Sequence, residues 1–309
     1  MIETVEDATG NTVDLTALAP WLGPVQLTGT SGADYLLGDA SADTMAGHGG
    51  DDVIVGGMGV DLLVGGSTST GSTSNGNDTY VWSLGDSNDT LRDGSKSLTE
   101  TDRLLLTDVA STQVALSRLQ GEDDLLITIL PSGEVLTDLF RFNKIAYGYG
   151  IEVIEFGADG VTWDLETILA KTSVNGTAAN DVINGTGYAF DENIYGHGGN
   201  DTIYGGGGDD VIVGGLGVDS LYGGVLAEQE SNGSDTYVWS KGDGNDVIRD
   251  SAQSLTEVDT LRLTDVASGD VTLSRASNNV NLIIETDSAN ETITVADRFK
   301  MLPMATASK

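Results

Sequence analysis

The sequence predicts an all-β fold of two parallel β-rolls (β-solenoids), each followed by a β-rich capping segment. Three observations lead to this prediction. A glycine-rich nonapeptide recurs in two separate blocks, a longer segment after each block is duplicated, and apolar residues alternate with polar ones in those segments. A short fixed period is typical of a stacked structure in which each repeat contacts its neighbours, rather than of one globular core.

Each nonapeptide consists of a glycine-rich turn, an aspartate at the sixth position and a short apolar strand. The repeats with the clearest pattern are Gly47–Val55, Gly56–Val64, Gly196–Tyr204, Gly205–Val213 and Gly214–Tyr222. Glycine permits the positive φ angles of a tight turn. Side chains alternate along a strand, so one apolar residue of each strand points inward. These inward residues are Ile54, Leu63, Ile203, Ile212 and Leu221. Two nonapeptides then form one flattened coil, and coils stack as parallel strands.

The stacked turns create an electrostatic problem. Equivalent aspartates on successive coils lie about 5 Å apart, the spacing of neighbouring strands, and two such carboxylates repel by about 3 kcal/mol at an effective dielectric constant near 20. The same turns direct peptide carbonyl groups inward, and carboxylate and carbonyl oxygens together are the ligands that calcium prefers. Magnesium fits poorly because it requires tight octahedral geometry. A single turn of this kind needs no metal, but repetition in register favours multiple calcium ions.

In these residues the chain resembles the RTX (repeats-in-toxin, haemolysin-type) calcium-binding family, over Gly29–Arg92 and Gly176–Asp250. The resemblance implies that the sixth-position aspartates bind Ca²⁺ and that turn carbonyl groups complete the coordination. The implied carboxylate ligands are Asp34, Asp43, Asp52, Asp61 and Asp78 in the first array, Asp181, Asp201, Asp210, Asp219 and Asp235 in the second, and Asp89 and Asp246 in the degenerate closing turns. The implied carbonyl ligands are Gly50, Gly199 and Gly208.

Two turns depart from the family pattern and are the doubtful sites. The repeat Gly38–Ala46 lacks most of its glycines. The repeat Gly185–Tyr195 carries two extra residues, with Glu192 near the expected place of the aspartate.

Composition excludes several classes of function. The chain has 14 Lys and Arg against 48 Asp and Glu, a net charge of -34, which argues against a nucleic-acid partner because phosphate binding needs a basic surface. The same charge predicts a chain that folds poorly until cations neutralise it. There is no cysteine, so metal rather than disulfides would stabilise a secreted form. No apolar run reaches the roughly 18 residues of a transmembrane segment.

The RTX resemblance also implies a location. Members of the family typically leave Gram-negative bacteria by type I secretion with an uncleaved C-terminal signal. We therefore expect a secreted protein, extracellular or at the cell surface, with possible association with that surface. Residues 1–27 lack the basic start and apolar run of a cleavable signal peptide, and the final residues MLPMATASK are unlike the longer signal that the family leads us to expect.

A tandem duplication encloses the short repeat. Asp78–Asp93 returns as Asp235–Asp250, and Ser97–Ala110 returns as Ser254–Ala267. The segments after each roll alternate like strands and resemble the β-rich segment of the haemolysin-type calcium-binding related family. The predicted domains are an N-terminal strand segment at 1–27, the first roll at 28–92, the first cap at 93–170, the second roll at 171–250 and an incomplete second cap at 251–309.

The N-terminal segment matches the end of the first module. Ile2–Leu18 aligns with the strand-like segment Ile151–Leu169 once one gap is allowed, whereas the second module stops at Lys309, where its own version should begin. Three explanations are open: the chain is a fragment of a longer array, the segment completes the second module of the same chain, or it completes that of the next subunit. We favour the third, because an incomplete sheet exposes an edge that residues 2–18 can cover. The predicted partner is a second copy, in a homo-oligomer or filament.

The sequence does not predict an enzyme. His48 and His197 occupy the second position of corresponding nonapeptides and are interpreted as turn residues, and no nucleophile elbow, zinc helix or P-loop motif is present. Ser67–Asn77 is interpreted as an exposed insertion. Two aromatic residues follow the last turn of each roll, Tyr80 and Trp82 in the first and Tyr237 and Trp239 in the second. We interpret them as hydrophobic caps on an exposed coil end, with a sugar-binding platform as the alternative.

The predicted function is that of a secreted, non-enzymatic calcium-binding structural protein. Its folding would be triggered by calcium, and it would assemble head-to-tail into a filament, matrix or surface layer. The alternative is a noncatalytic secretion and folding module, or fragment, of a larger exoenzyme, toxin or adhesin.

Overall fold

The computed structural model describes residues 4–6, 12–14, 23–66, 76–93, 99–120, 122, 124–139, 150–185, 190–224, 233–250, 257–277, 280–287 and 291–296. The chain divides into two compact units. Unit 1 comprises Met1–Ser117 and Asp123–Ile168, and unit 2 comprises Arg118–Glu122 and Leu169–Lys309.

Fifteen of the described strands lie between Thr4 and Trp163. They are β1 (Thr4–Glu6), β2 (Thr12–Asp14), β3 (Gln26–Thr28), β4 (Tyr35–Leu37), β5 (Thr44–Ala46), β6 (Val53–Val55), β7 (Leu62–Val64), β8 (Thr79–Trp82), β9 (Thr90–Arg92), β10 (Arg103–Leu106), β11 (Val114–Leu119), β12 (Leu125–Ile129), β13 (Val135–Asp138), β14 (Val153–Phe156) and β15 (Thr162–Trp163). A 3-10 turn at Ser111–Gln113 precedes β11, and one helix, α1 (Leu165–Lys171), follows β15.

The rest of the chain continues the same pattern. Its described strands are β16 (Thr172–Asn175), β17 (Val182–Asn184), β18 (Asn193–Tyr195), β19 (Thr202–Gly206), β20 (Val211–Val213), β21 (Ser220–Gly224), β22 (Thr236–Trp239), β23 (Asp246–Arg249), β24 (Thr260–Leu263), β25 (Thr272–Arg275), β26 (Leu282–Glu285) and β27 (Thr292–Val295). A 3-10 turn at Ser268–Asp270 precedes β25.

Unit 1 is a parallel roll followed by a cap. Each strand pairs in parallel with the strand two places along the chain, which gives the series β3-β5-β7-β9 on one face and β4-β6-β8-β10 on the other. Two nonapeptides therefore make one coil. The cap extends both faces, with β13 in parallel beside β9 and β14 in parallel beside β10. The antiparallel pairs β11-β12-β13 and β14-β15 complete it.

Unit 2 repeats this architecture with a longer roll. One face has the order β16-β18-β20-β22-β24, and the other has β17-β19-β21-β23-β27-β26-β25. The cap strands keep the register of unit 1, since Leu282 pairs with Val295 as Leu125 pairs with Asp138. The predicted fold class, parallel β-rolls with β-rich caps, is confirmed.

The interior of each roll is a column of apolar side chains between the two faces. The predicted inward residues have exposed fractions of 0% at Ile54, Ile203 and Ile212, 1% at Leu63 and 3% at Leu221. Since every coil contributes such residues to a shared column, each coil stabilises only its neighbours, as in other solenoids.

One predicted strand segment is partly helical. Ile151–Leu169 forms β14 and β15, but α1 begins at Leu165. The backbone N–H of Thr167 donates to Oδ1 of Asp164 (2.9 Å), so this aspartate caps the helix start. The strand prediction is wrong there, because the cap and the following LETILAK residues, most of which favour a helix, outweigh the apolar pattern. Of the predicted insertion Ser67–Asn77, residues 67–75 lie outside the described residues.

Candidate functional site

The sixth-position carboxylates form hydrogen-bonded ladders along the turns. In each rung, a backbone N–H of one turn donates to the carboxylate Oδ1 of the equivalent residue on the next coil. In roll 1 the rungs are Asp34 to Asp52 (2.8 Å), Asp52 to Asp78 (2.9 Å) and Asp78 to Asp102 (2.7 Å) on one edge, and Asp43 to Asp61 (2.7 Å) and Asp61 to Asp89 (2.8 Å) on the other.

Roll 2 has the same ladders. One edge carries the rungs Asp181 to Asp201 (2.8 Å), Asp201 to Asp219 (2.8 Å) and Asp219 to Asp246 (2.9 Å), and the other carries Glu192 to Asp210 (2.9 Å), Asp210 to Asp235 (3.0 Å) and Asp235 to Asp259 (3.2 Å). Every aspartate predicted as a ligand lies in one of these ladders. Each rung uses one carboxylate oxygen, Oδ1, as its acceptor. The other oxygen, Oδ2, accepts a backbone N–H from its own turn at Asp34, Asp43 and Asp181.

That second oxygen, Oδ2, is buried without a hydrogen-bond partner in many of the rungs that the structure describes. The residues concerned are Asp52, Asp61, Asp78, Asp89, Asp102, Asp201, Asp210, Asp219 and Asp235. Leaving a buried polar oxygen without a hydrogen-bond partner destabilises the fold by about 1–3 kcal/mol, and the cost is larger when the group is ionised. A repeated cost of this kind indicates that a cation belongs beside these oxygens.

The first glycine of each nonapeptide leaves the space for this cation. A Cβ at Gly29 would lie 2.5 Å from the carbonyl oxygen of Gly47 and 2.8 Å from Asp34 Oδ2. A Cβ at Gly176 would lie 2.8 Å from the carbonyl oxygen of Gly196. The same pair of neighbours, a glycine carbonyl of the next coil and the Oδ2 of the same repeat, recurs at Gly38, Gly47, Gly196 and Gly205. At these six glycines the gap between stacked turns is therefore lined by carboxylate and carbonyl oxygens, which fit calcium.

The predicted carbonyl ligands also lie in these turns. Gly50, Gly199 and Gly208 have φ angles of 100°, 111° and 116°, which favour glycine. Their carbonyl oxygens are directed towards the next coil, where they would contact a Cβ placed at Gly76, Gly217 and Gly233, respectively. That these carbonyl oxygens bind calcium remains a prediction, and their positions in the turns are compatible with it.

The two turns that depart from the repeat pattern keep the ladder. Asp43 in the glycine-poor repeat is 2% exposed and occupies a regular rung. Glu192 is 5% exposed, and its backbone N–H bonds Asp210 as an aspartate would. Both positions can therefore supply a carboxylate although their turn sequences differ.

Two carboxylate clusters that the sequence analysis missed lie where each roll meets its cap. Oxygens of Asp78, Asp93 and Asp102 lie within 4.8 Å of one another, and the cluster returns as Asp235, Asp250 and Asp259. Asp93 directly follows Arg92, which pairs with Val64, so it takes the register position of Gly65 on the previous coil. The detectable signal was the recurrence of an acid at these places in both modules. The mutual repulsion of three carboxylates this close favours either a retained proton or a bound cation.

Burial raises the pKa of six of the ladder aspartates well above their ordinary value of 3.8. The pKa rises to about 6 at Asp61 and Asp219, about 7 at Asp235 and Asp246, and about 8 at Asp78 and Asp89. Lost hydration is the largest cause, a backbone hydrogen bond opposes it, and a neighbouring carboxylate adds to the rise. Without a cation, Asp78 and Asp89 would hold their protons at neutral pH and Asp235 and Asp246 would hold them in part. Bound calcium would displace these protons.

The histidines and aromatic residues have structural roles. His48 and His197 have φ angles of 78° and 74°, which agrees with their interpretation as turn residues. The side chains of Tyr80, Trp82, Tyr237 and Trp239 are at most 2% exposed, so they form no sugar-binding platform. The prediction that they cap an exposed coil end is wrong, because β8 lies between β6 and β10, and β22 lies between β20 and β24.

Comparison with known proteins identifies the arrays. The RTX calcium-binding nonapeptide repeat family matches the chain in 4 copies, at residues 28–67 and 186–221. Both arrays are RTX calcium-binding repeats. RTX repeats bind Ca²⁺, and when bound the ion would neutralise the carboxylates of the ladders described above.

No curated protein matches the chain. Among solved structures, the extracellular lipase LipA from Serratia marcescens is similar at 18% sequence identity with a TM-score of 0.31, over 89% of this chain and 38% of the lipase chain. The chain thus spans less than half the length of that lipase. Within the described residues, no helix has the length and apolar character needed to span a membrane.

Proposed function

We propose that this RTX chain is a secreted, non-enzymatic structural protein that folds on binding calcium and assembles head-to-tail by strand donation. The donor is the N-terminal segment, residues 2–18, and the acceptor is the edge of the second module in another copy. The observation that carries the proposal is the shared register of two hairpins in the chain.

The hairpin β1–β2 is a copy of the hairpin β14–β15. In β1–β2, Val5 pairs with Val13 and Glu6 with Thr12. The residues that align with these in the sequence pair in the same way, Ile154 with Trp163 and Glu155 with Thr162. The N-terminal segment therefore has the backbone pairing of the element that completes the first module.

In unit 1 this hairpin covers the last strand of the roll. β14 pairs in parallel with β10 over its whole length. The inward side chains of the two strands, Leu104 and Leu106 of β10 and Ile154 of β14, are fully buried. The hairpin thus removes an open edge and closes the apolar column of the roll.

The corresponding strand of unit 2, β24, has the matching sequence but is the outermost described strand of its face. Its inward residues Leu261 and Leu263 are only half-buried, unlike Leu104 and Leu106 of β10. An edge strand with unpaired backbone groups is a template for another strand. Donation of β1 from a second copy gives a heterologous contact, which propagates into a filament unless it closes into a ring.

The experiment compares the full chain with a variant lacking residues 2–18, each with and without millimolar calcium. We expect the full chain to form filaments or large oligomers in calcium, seen by electron microscopy and sedimentation velocity, and the truncated chain to remain monomeric with the same β-rich circular dichroism. Equal polymerisation of both forms would refute strand donation. Calcium-bound monomers of the full chain would favour closure within one chain, or a folding module of a larger secreted protein.

The net charge of the chain supports the proposal that it folds outside the cell, on binding calcium. At a net charge of -34, the chain repels itself until cations fill the turns. Calcium contributes to folding by mass action, about 1.4 kcal/mol per site at a tenfold excess over the dissociation constant. Several sites together approach the stability of a whole domain, so folding would await the higher calcium outside the cell.

A further inference from the structure

In unit 2, the segment Arg118–Glu122 covers the start of the roll. Nη2 of Arg118 donates to the carbonyl oxygen of Asn184 (3.0 Å), and the backbone N–H of Gln120 donates to the carbonyl oxygen of Asn175 (3.0 Å). Nε2 of Gln120 also donates to Oδ1 of Asp181 (3.2 Å), the first rung of its ladder. A tip that donates three hydrogen bonds therefore covers the first coil of this roll.

The first coil of roll 1 has the same local structure. Residues 28–38, TGTSGADYLLG, correspond to residues 175–185, NGTAANDVING. The backbone N–H of Thr30 donates to Asp34 Oδ2 (2.5 Å), as that of Thr177 donates to Asp181 Oδ2 (2.6 Å). The two coils therefore present equivalent backbone carbonyl groups, at Thr28 and Leu37 in roll 1.

The two first coils differ in burial. The inward residues of roll 2, Val174 and Ile183, are 1% and 0% exposed. Their counterparts in roll 1, Leu27 and Leu36, are only half-buried. The end of a solenoid needs a cover, and roll 1 is less covered than roll 2 within the described residues.

The second module carries a copy of the covering tip. The hairpin β25–β26 keeps the register of β11–β12, since Thr272 pairs with Glu285 as Ala115 pairs with Thr128. Arg275 then corresponds to Arg118. All four residues of β25 are exposed.

We propose that in the assembly the tip Arg275–Ser277 of one copy packs on the first coil of roll 1 in the next copy. There the guanidinium of Arg275 donates to the carbonyl of Leu37, and the backbone N–H of Ser277 donates to the carbonyl of Thr28. Both acceptors are backbone groups, so the different side chains of the two coils do not prevent the contact. The inference rests on the head-to-tail assembly proposed above and adds to it a second, independent contact.

The charges and side chains at the contact between two copies determine its strength. The receiving chain is strongly acidic and Asp34 lies in the first coil, so a cationic tip is attracted to it. Ser277 replaces Gln120, however, and its short side chain does not provide the amide that bonds Asp181 in unit 2. The junction between copies is therefore weaker than its counterpart in unit 2, which suits reversible assembly.

The test uses the absence of cysteine in the chain. The double variant Ser277→Cys with Thr28→Cys is treated with a short bis-maleimide in calcium. The pair Gln120→Cys with Asn175→Cys is the matched positive control within one chain, and Leu130→Cys with Thr28→Cys, which places a thiol on an exposed turn, is the negative control. We expect a ladder of covalent multimers from the first pair alone, and crosslinked monomers from the positive control.

Other outcomes separate this inference from the proposed function. If the full chain assembles and the truncated chain does not, but the Ser277 and Thr28 thiols crosslink no more than the negative control, the tip contact is wrong and strand donation stands. Crosslinked monomers from this pair overturn it in favour of closure within one chain. Failure of the unmodified chain to assemble removes both. Independently, Arg275→Gln should raise the protein concentration needed for assembly about tenfold, and no change would contradict the contact.

Discussion

At the scale of residues, the first glycine of each nonapeptide decides whether a cation fits. Alanine at Gly47 would direct its Cβ towards Asp52 Oδ2 and the carbonyl oxygen of Gly65. It would thus occupy the space lined by the ligand oxygens. We expect Gly47→Ala to weaken calcium binding at this gap about tenfold or more, ~1.4 kcal/mol, as measured by isothermal titration calorimetry. Gly269→Ala is the control, because its Cβ would meet nothing within 4 Å. Equal calcium titrations of the two variants would show that the gap is not the site.

The ladder positions were predictable from the sequence, whereas the clusters at the end of each roll were not. A sixth-position aspartate repeats at a fixed spacing, so its neighbours follow from the period. Asp93 and Asp102 lie outside that period. They meet Asp78 only because the register carries Arg92 beside Val64 and Leu104 beside Tyr80. Asp102 continues the ladder of Asp78 in the structure, but the chain between them does not keep the nine-residue spacing, so the period alone does not predict the contact.

At the scale of elements, β1 and β24 are complementary in charge. If β1 pairs with β24 in the register in which β14 pairs with β10, Glu6 lies opposite Arg262. In unit 1, Leu105 is opposite Glu155, which pairs instead with Arg103 (2.6 Å). Opposite charges at facing positions stabilise paired strands by about 0.2–1 kcal/mol, and like charges destabilise them. We expect Glu6→Arg or Arg262→Glu alone to reduce calcium-dependent assembly in sedimentation velocity, and the double variant to restore it.

The control for this exchange is Glu122→Arg, a charge reversal at an exposed residue that lies on neither β1 nor β24. It should assemble like the unmodified chain. A double variant that assembles no better than either single variant would mean that Glu6 and Arg262 do not face each other.

Element type was predictable where the apolar pattern and the turn residues agree. The short strands of the rolls satisfy both conditions, since glycine turns bound each apolar triplet. The end of the first cap does not: its apolar residues suggest a strand, but Asp164 accepts the N–H of Thr167 and a helix begins at Leu165. A single cap residue changed the backbone there without changing the composition of the segment.

At the scale of the whole molecule, protons and calcium compete for the same carboxylates. The folded pKa values of Asp61, Asp78 and Asp235 are raised to about 6, 8 and 7 from 3.8. Between pH 4 and these values, the metal-free fold retains protons that the unfolded chain has lost, so its stability falls as pH rises. Calcium replaces the protons, so its affinity rises with pH over the same window.

We therefore expect protein freed of metal by dialysis to melt at a higher temperature, or to have more β-structure, at pH 5 than at pH 8. In millimolar calcium the dependence should reverse, because the ionised ligands then bind the ion. The stability at each pH, with and without calcium, is measured by thermal melts followed by circular dichroism. Calorimetry of calcium binding in buffers of different ionisation enthalpy should detect the release of protons. Metal-free protein that is more stable at pH 8 would contradict the burial of neutral carboxyl groups in the ladders. The charge that opposes folding in the absence of calcium would then have to lie elsewhere on the chain.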